Sequence, residues 1–194
     1  MTINYFFILY IFEKKLINMK KTIIILVLSV AYNIANAQTN AIKINYLAPI
    51  VKTINLQFEH ALNESSSVQL GVYYLNWAPQ GTTTKFSGYG ITPEYRFYLT
   101  ESTFKGVFLG PYFRFQSLKL SDTSTADEGV YMGYQGGAII GKQWLFQDKI
   151  TLEAFLGPCY GGGNVKVNSG TDVFNVDTFN GFGLRIGTTL GFAF

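Results

Sequence analysis

Seven charged residues are set among apolar ones: Lys43, Glu59, Glu94, Arg96, Arg114, Glu153 and Arg185. Most sit directly between two apolar residues, as Lys43 does between Ile42 and Ile44, Arg96 between Tyr95 and Phe97, and Arg185 between Leu184 and Ile186. A strand sends alternate side chains to opposite faces, so each charge would lie on one face and its neighbours on the other. Three chemistries are open to such a set. Paired carboxylates, Glu94 with Glu153, could serve a hydrolase as acid and base. A chain of charges could conduct protons or form a gate. The charges could also pair with one another in a narrow interior, where isolated charges are costly and paired, hydrogen-bonded ones are tolerable. The third reading is preferred, because nothing in the sequence supplies a substrate cleft. It makes the set a salt-bridge network that plugs the interior.

The other chemistry-bearing residues are sparse. His60 is the single histidine, so any Ser-His-Asp arrangement would have to use it. No second element of a triad stands near it, and it reads as a rim residue. Cys159 is the single cysteine, which rules out an intramolecular disulfide and leaves it a small packing residue. Gly161-Gly162-Gly163 has no Lys-Ser/Thr after it, so it is no phosphate loop and is expected to bend a strand. Asp122, Asp127, Glu128, Asp172 and Asp177 put acid into turn-rich segments at a spacing that matches no calcium loop. No catalytic residue, metal site or cofactor is expected.

The elements that must position these residues follow from the ends of the chain inward. Met19-Lys20-Lys21, the apolar run 23–31 and Ala35-Asn36-Ala37 form a signal peptide over 19–37, cleaved after Ala37. Its apolar run is too short to span a membrane as a helix. Residues 1–18 read as a mis-assigned start or a leader extension, and 38–194 as one domain. Four of the fifteen Lys/Arg and one of the twelve Asp/Glu precede Gln38, which leaves eleven of each and a neutral mature chain. A nucleic-acid partner would need a clustered basic surface, so none is expected.

From Gln38 the chain reads as eight strands: 41–47, 51–62, 68–77, 85–99, 106–118, 130–144, 150–161 and 179–194. The last is the most regular, with Phe182, Leu184, Ile186, Leu190, Phe192 and Phe194 on every second position apart from Thr188. Alternation over about ten residues, repeated along the chain, is the pattern of a transmembrane β-barrel with lipid outside and polar side chains inside. The faces of the glycine-rich sixth strand resist assignment. Connections 63–67, 100–105 and 145–149 are short. The alternate set, 48–50, 78–84, 119–129 and 162–178, is mostly longer and grows along the chain. Aromatic residues are expected in two belts. One holds Tyr46, Trp77, Phe86, Tyr89, Tyr131, Tyr160 and Phe182, the other Phe97, Phe104, Trp144, Phe146, Phe192 and Phe194. Val165 and Val167, a turn at Asn168-Ser169-Gly170-Thr171, and Val173 and Val176 are expected to extend strands seven and eight as a projecting ribbon.

With these strands in place, the chain resembles the small OmpA/OmpX-like outer-membrane β-barrels. More narrowly, it resembles a bacterial envelope family of that type whose function is unassigned. The resemblance rests on Ile42-Lys43-Ile44-Asn45-Tyr46 with Thr53-Ile54-Asn55-Leu56, on Ile91-Thr92-Pro93-Glu94-Tyr95-Arg96-Phe97-Tyr98-Leu99, and on Gly106-Val107-Phe108-Leu109-Gly110-Pro111-Tyr112. It implies an eight-stranded antiparallel up-and-down barrel in the cell outer membrane, monomeric and in contact with outer-membrane lipid. It also implies that the aromatic last strand is an assembly signal read by the barrel-assembly machinery. The expected role is structural or surface interaction, with 162–178 the contact surface for an extracellular partner. Two rivals stand beside it: a soluble periplasmic lipid-binding barrel, which needs the Phe182/Leu184/Ile186 face inward, and a lipid-modifying barrel enzyme using His60.

Overall fold

Strands form where the period-two alternation runs unbroken, and each ends at turn chemistry. In chain order they are β1 (Asn40–Ile44), β2 (Thr53–Asn63), β3 (Ser66–Trp77), β4 (Thr84–Tyr98), β5 (Gly106–Asp122), β6 (Glu128–Phe146), β7 (Ile150–Ser169) and β8 (Gly181–Ala193). The computed structural model describes residues 39–170 and 179–194 apart from Pro79, Thr82, Thr123 and Ala126. The expected leader and signal peptide (1–37) and the 171–178 part of the last connection lie outside the described residues.

Each strand pairs antiparallel with its sequence neighbours, and β1 also pairs with β8, so the sheet closes as a barrel. Ile42 stands opposite Phe58 on one side and Phe192 on the other, which is the seam of that closure. Closing removes the free edges that an open sheet would present. The register keeps every apolar face outward: Ile54, Leu56, Leu70, Ile91, Phe115, Leu156 and Ile186 are all exposed, while Lys43, Glu59, Gln69, Thr92, Glu94, Gln143 and Thr189 are buried inside. A slip of one residue would invert both faces, so register is tightly specified.

The connections do not sort by length as expected. Those at one end, here the turn end, are 64–65, 99–105 and 147–149. The 99–105 connection is longer than 78–83 and 123–127 at the opposite end, the loop end, whose expected length goes partly into strand. At the loop end a single 3₁₀ turn at Ala48–Val51 carries Pro49 in its first turn and joins β1 to β2. The 119–129 connection is mostly strand, because β5 runs to Asp122 and β6 starts at Glu128. Likewise β7 does not stop at Gly161. It continues to Ser169, paired along Asn164 to Ser169 with β6, while its pairing with β8 ends at Gly161 opposite Gly181. The 171–176 half of the ribbon expected from strands seven and eight lies outside the described residues. Among the described residues the extension at this end is built by β5, β6 and β7, which reach 17, 19 and 20 residues. They form a tongue above the shorter strands at the loop end.

The glycines of β6 and β7 belong to the same construction. Pairing of β7 with β6 runs without a register shift through Gly161-Gly162-Gly163; a Cβ on Gly163 would lie 2.6 Å from Cζ of Tyr131, and the bare backbone leaves that ring its space. Inside the barrel Gly141 does the same for Phe108, whose Cζ would be 2.5 Å from an added Cβ. Rings seated on glycines fill the interior of an eight-stranded barrel, which is wide enough for side chains and little else.

Four aromatics expected in the lipid-facing belts, Trp77, Phe86, Phe104 and Tyr131, point inward instead. Phe86 and Tyr131 are buried with Leu118 and Leu120 on the concave side of the tongue, where Trp77 and Phe179 pack against them. Their parity explains it: Phe86 shares a face with Thr92 and Glu94, and Tyr131 with Ile139 and Gln143. Phe104, 2 % exposed, is tucked under the turn end between Ala41 and Ala193. It has a positive φ of 68°, a conformation unfavourable for a bulky L-residue. The turn is held by Thr103, whose N–H donates to Glu64 O at 2.7 Å and whose hydroxyl donates to Asn63 O at 2.6 Å.

Candidate functional site in the barrel interior

The interior holds two layers above Phe104, and the sequence positions that build them come from strands far apart in the chain. In the lower layer, Arg96 of β4 donates from Nε to Glu94 Oε1 at 2.6 Å and from Nη1 and Nη2 to the two oxygens of Glu153 at 2.6 and 3.0 Å. Such a two-point fork matches guanidinium to carboxylate geometry. Lys43 of β1 donates to Glu153 Oε2 at 2.7 Å and also pairs with Glu59. Arg185 of β8 reaches Glu94 Oε2 at 2.9 Å, so Glu94 bridges two arginines. Arg96, Lys43, Glu59, Glu94 and Glu153 have fully buried side chains.

Rings and neutral groups complete this layer. Arg96 lies over the Phe108 ring at 4.3 Å, and Arg185 over Tyr112 at 4.1 Å. A cation over a ring face gains from the ring's quadrupole, more so away from water. The Tyr98 hydroxyl sits 2.7 Å from Glu59 Oε1 and 2.9 Å from Gln143 Oε1, and Gln143 also accepts from Lys43 at 2.9 Å. Ser67 donates to Glu59. Gln143 and Ser67 were not among the charged residues that sequence reasoning selects. Gln143 was hidden by the unassigned faces of β6, and only its inward parity, shared with Ile139 and Gly141, marks it.

Of the seven charged residues, six meet in this layer and Arg114 does not. Arg114 sits higher on β5, where its Nε donates to Thr92 Oγ1 at 3.1 Å and its guanidinium lies 5.1 Å from the Tyr73 ring centroid. Among the described residues no carboxylate pairs with it. It lines the upper layer, a half-open cavity of about 530 Å³ at the loop end whose wall includes Asn55, Tyr73, Gln116, Gln135, Phe179 and Thr188.

The remaining residues of chemical interest stand apart from this interior network. Glu94 and Glu153 are each engaged by Arg96, so neither is a free acid or base. His60 is exposed at the turn end, with Nδ1 2.9 Å from Asn40 Oδ1. Cys159 is buried against Gly183. Asp122, at the tip of β5 on the tongue, accepts from the Ser124 hydroxyl and N–H at 2.5 and 2.7 Å and from the Thr83 hydroxyl at 2.5 Å. These bonds, the Ser124 hydroxyl first, hold its carboxyl well below the usual carboxylate range. Glu128 pairs with Lys119 at 2.6 Å, while Asp172 and Asp177 lie outside the described residues.

The sequence profile of the family described as "Protein of unknown function (DUF3575)" matches residues 22–169. No curated protein matches the chain in sequence. Among solved structures, the N-terminal β-barrel domain of Pseudomonas aeruginosa OprF is similar with a TM-score of 0.52 at 12 % identity, covering 81 % of this chain and 98 % of that one. Neisserial surface protein A (NspA) gives a TM-score of 0.43 at 15 % identity, covering 81 % of this chain and 95 % of that one. At such identity the likeness to OprF speaks for the fold alone, the small eight-stranded barrel of the outer-membrane type.

Proposed function

The chain belongs to DUF3575, and from that fold and that interior we propose that it is an integral outer-membrane protein, non-enzymatic, whose lumen is closed by its charge cluster. The observation that carries this reading is the outer surface. Apolar side chains face outward on every strand, with Phe182 at 90 %, Ile186 at 71 % and Ile54 at 72 % exposure. Proteins in water rarely expose contiguous apolar patches of more than a few hundred Å². A band running round a closed barrel calls for lipid as its solvent, and polar groups inside complete the transmembrane pattern. A soluble barrel holding lipid inside would need this face turned inward, and Arg185 outward, the reverse of their placement.

The closed lumen is supported by the lower layer. Lys43, Glu59, Arg96, Gln143 and Glu153 are fully buried across the barrel, Phe104 sits beneath them, and an eight-stranded barrel has little width to spare. The alternating strand Phe182 to Phe194 serves as the assembly signal, and the barrel works as a monomer. The surface for an outside partner is the tongue with the 162–178 segment. Replacing 162–178 by a short turn should leave the barrel folded and remove partner binding; binding that survives would exclude that surface.

Membrane fractionation combined with gel mobility of heated and unheated samples tests the reading. Recovery with the outer membrane and a heat-dependent mobility shift is the expected outcome. Recovery in the soluble fraction without a shift would overturn it.

A further inference from the structure

The lumen charges do not cancel. Lys43, Arg96, Arg114 and Arg185 set four positive charges against the three of Glu59, Glu94 and Glu153. Among the described residues, ion pairs engage every one of these except Arg114. The surplus cation therefore stands on the wall of the loop-end cavity, with Nε committed to Thr92 and the two terminal nitrogens making no hydrogen bond among the described residues.

The neutral polar groups round the cavity are biased the same way. Asn45 Oδ1 accepts from the N–H groups of Leu47 and Ala48, both at 3.1 Å. Asn55 Oδ1 accepts from Gln57 Nε2 at 2.9 Å, and Gln135 Oε1 accepts from the Tyr112 hydroxyl at 3.3 Å. Each of these oxygens already accepts a bond, whereas among the described residues the NH₂ groups of these amides, which only donate, have no side-chain partner. Leu47, Leu75 and Phe179 give the same cavity an apolar wall. A cation and spare donors beside an apolar surface complement an anion with an apolar body. The paired terminal N–H groups of a guanidinium match the two oxygens of a carboxylate. A volume of about 530 Å³ lies within the range of small-ligand sites.

We propose that the loop-end cavity is a binding site for a small carboxylate with an apolar body, its carboxylate on Arg114 and its body against Leu75 and Phe179. The site goes beyond the closed-barrel reading and stands on its own geometry, so it holds whether or not the lumen below conducts. The test is calorimetric titration of the full chain in a maltoside detergent with benzoate and with benzamide, which has the same shape without the charge. Benzoate is expected to bind saturably and benzamide about tenfold more weakly or worse. Arg114→Gln should weaken benzoate about tenfold and abolish the preference, with its heat-dependent gel mobility unchanged. Equal binding of the two probes, no binding of either, or unchanged benzoate affinity in Arg114→Gln would each overturn the proposal. Should that variant fail to fold, the comparison of the two probes on the unaltered chain decides by itself.

Discussion

Substituting Arg96 by Met removes the residue on which the lower layer converges while keeping most of its stem. Arg96 is fully buried and pairs with Glu59, Glu94 and Glu153. After the change Glu153 keeps Lys43 and Glu94 keeps Arg185, but each loses its shortest guanidinium contacts, of 2.6 Å. Removing one partner of a buried pair costs about 3–5 kcal/mol, because the other charge stays buried. The surviving Lys43 and Arg185 bridges place the expected loss towards the lower end, about 3 kcal/mol. The Phe108 ring also loses the cation above it. Urea titration in phospholipid vesicles, read by the mobility of unheated samples and by tryptophan fluorescence, measures this directly. Adding Glu153→Leu to Arg96→Met removes the stranded carboxylate, so the double variant should be less destabilised than the sum of the singles by about 1–2 kcal/mol. A single-variant loss below about 1 kcal/mol, the value of an exposed pair, would refute the desolvated network. So would strict additivity in the cycle.

Two further outcomes follow from local geometry. A Cβ on Gly157 would collide with the Ala138 carbonyl oxygen and lie 2.7 Å from Ile139 Cα, so Gly157→Ala should push β6 and β7 apart and cost about 1–3 kcal/mol. Gly71→Ala, where the new methyl meets Gln57 Cγ at an ordinary 3.5 Å, should be neutral or slightly stabilising in the same titration. Asp122 has a lowered folded pKa, so the order it confers on the 122–127 turn is complete above the ordinary aspartate value of about 4 and declines as pH falls below it. Hydrogen exchange at the Ser124 and Thr125 amides, corrected for intrinsic rates, should therefore accelerate as pH drops beneath that value, and Asp122→Asn should be faster at neutral pH. Protection that does not change across this range would refute the role of the carboxylate.

The sequence by itself determined the inside and the outside. A strand has a period of two, and a barrel between lipid and a polar lumen must place apolar and polar residues on that period. Lys43, Glu94, Arg96 and Arg185 were therefore legible as inward, and Phe182, Leu184 and Ile186 as outward, before any pairing was known. The number of strands followed for the same reason. The belt places expected for Phe86 and Tyr131 rest on their height alone, although alternation with their strand neighbours turns both inward. Where alternation fades, so did the reading: glycine has no side chain to signal a face, so β6 was opaque, and although Val165 and Val167 marked an extension of β7, nothing in the sequence showed that it pairs with β6. What only the tertiary structure decided is which charges meet. Lys43 and Glu153 are 110 positions apart, and their contact depends on closure and stagger, which set the height of each residue along the barrel. Arg114 has the same inward parity as Arg96, but it stands higher, beyond the reach of the carboxylates. That difference in height leaves one cation unpaired in the cavity above the cluster.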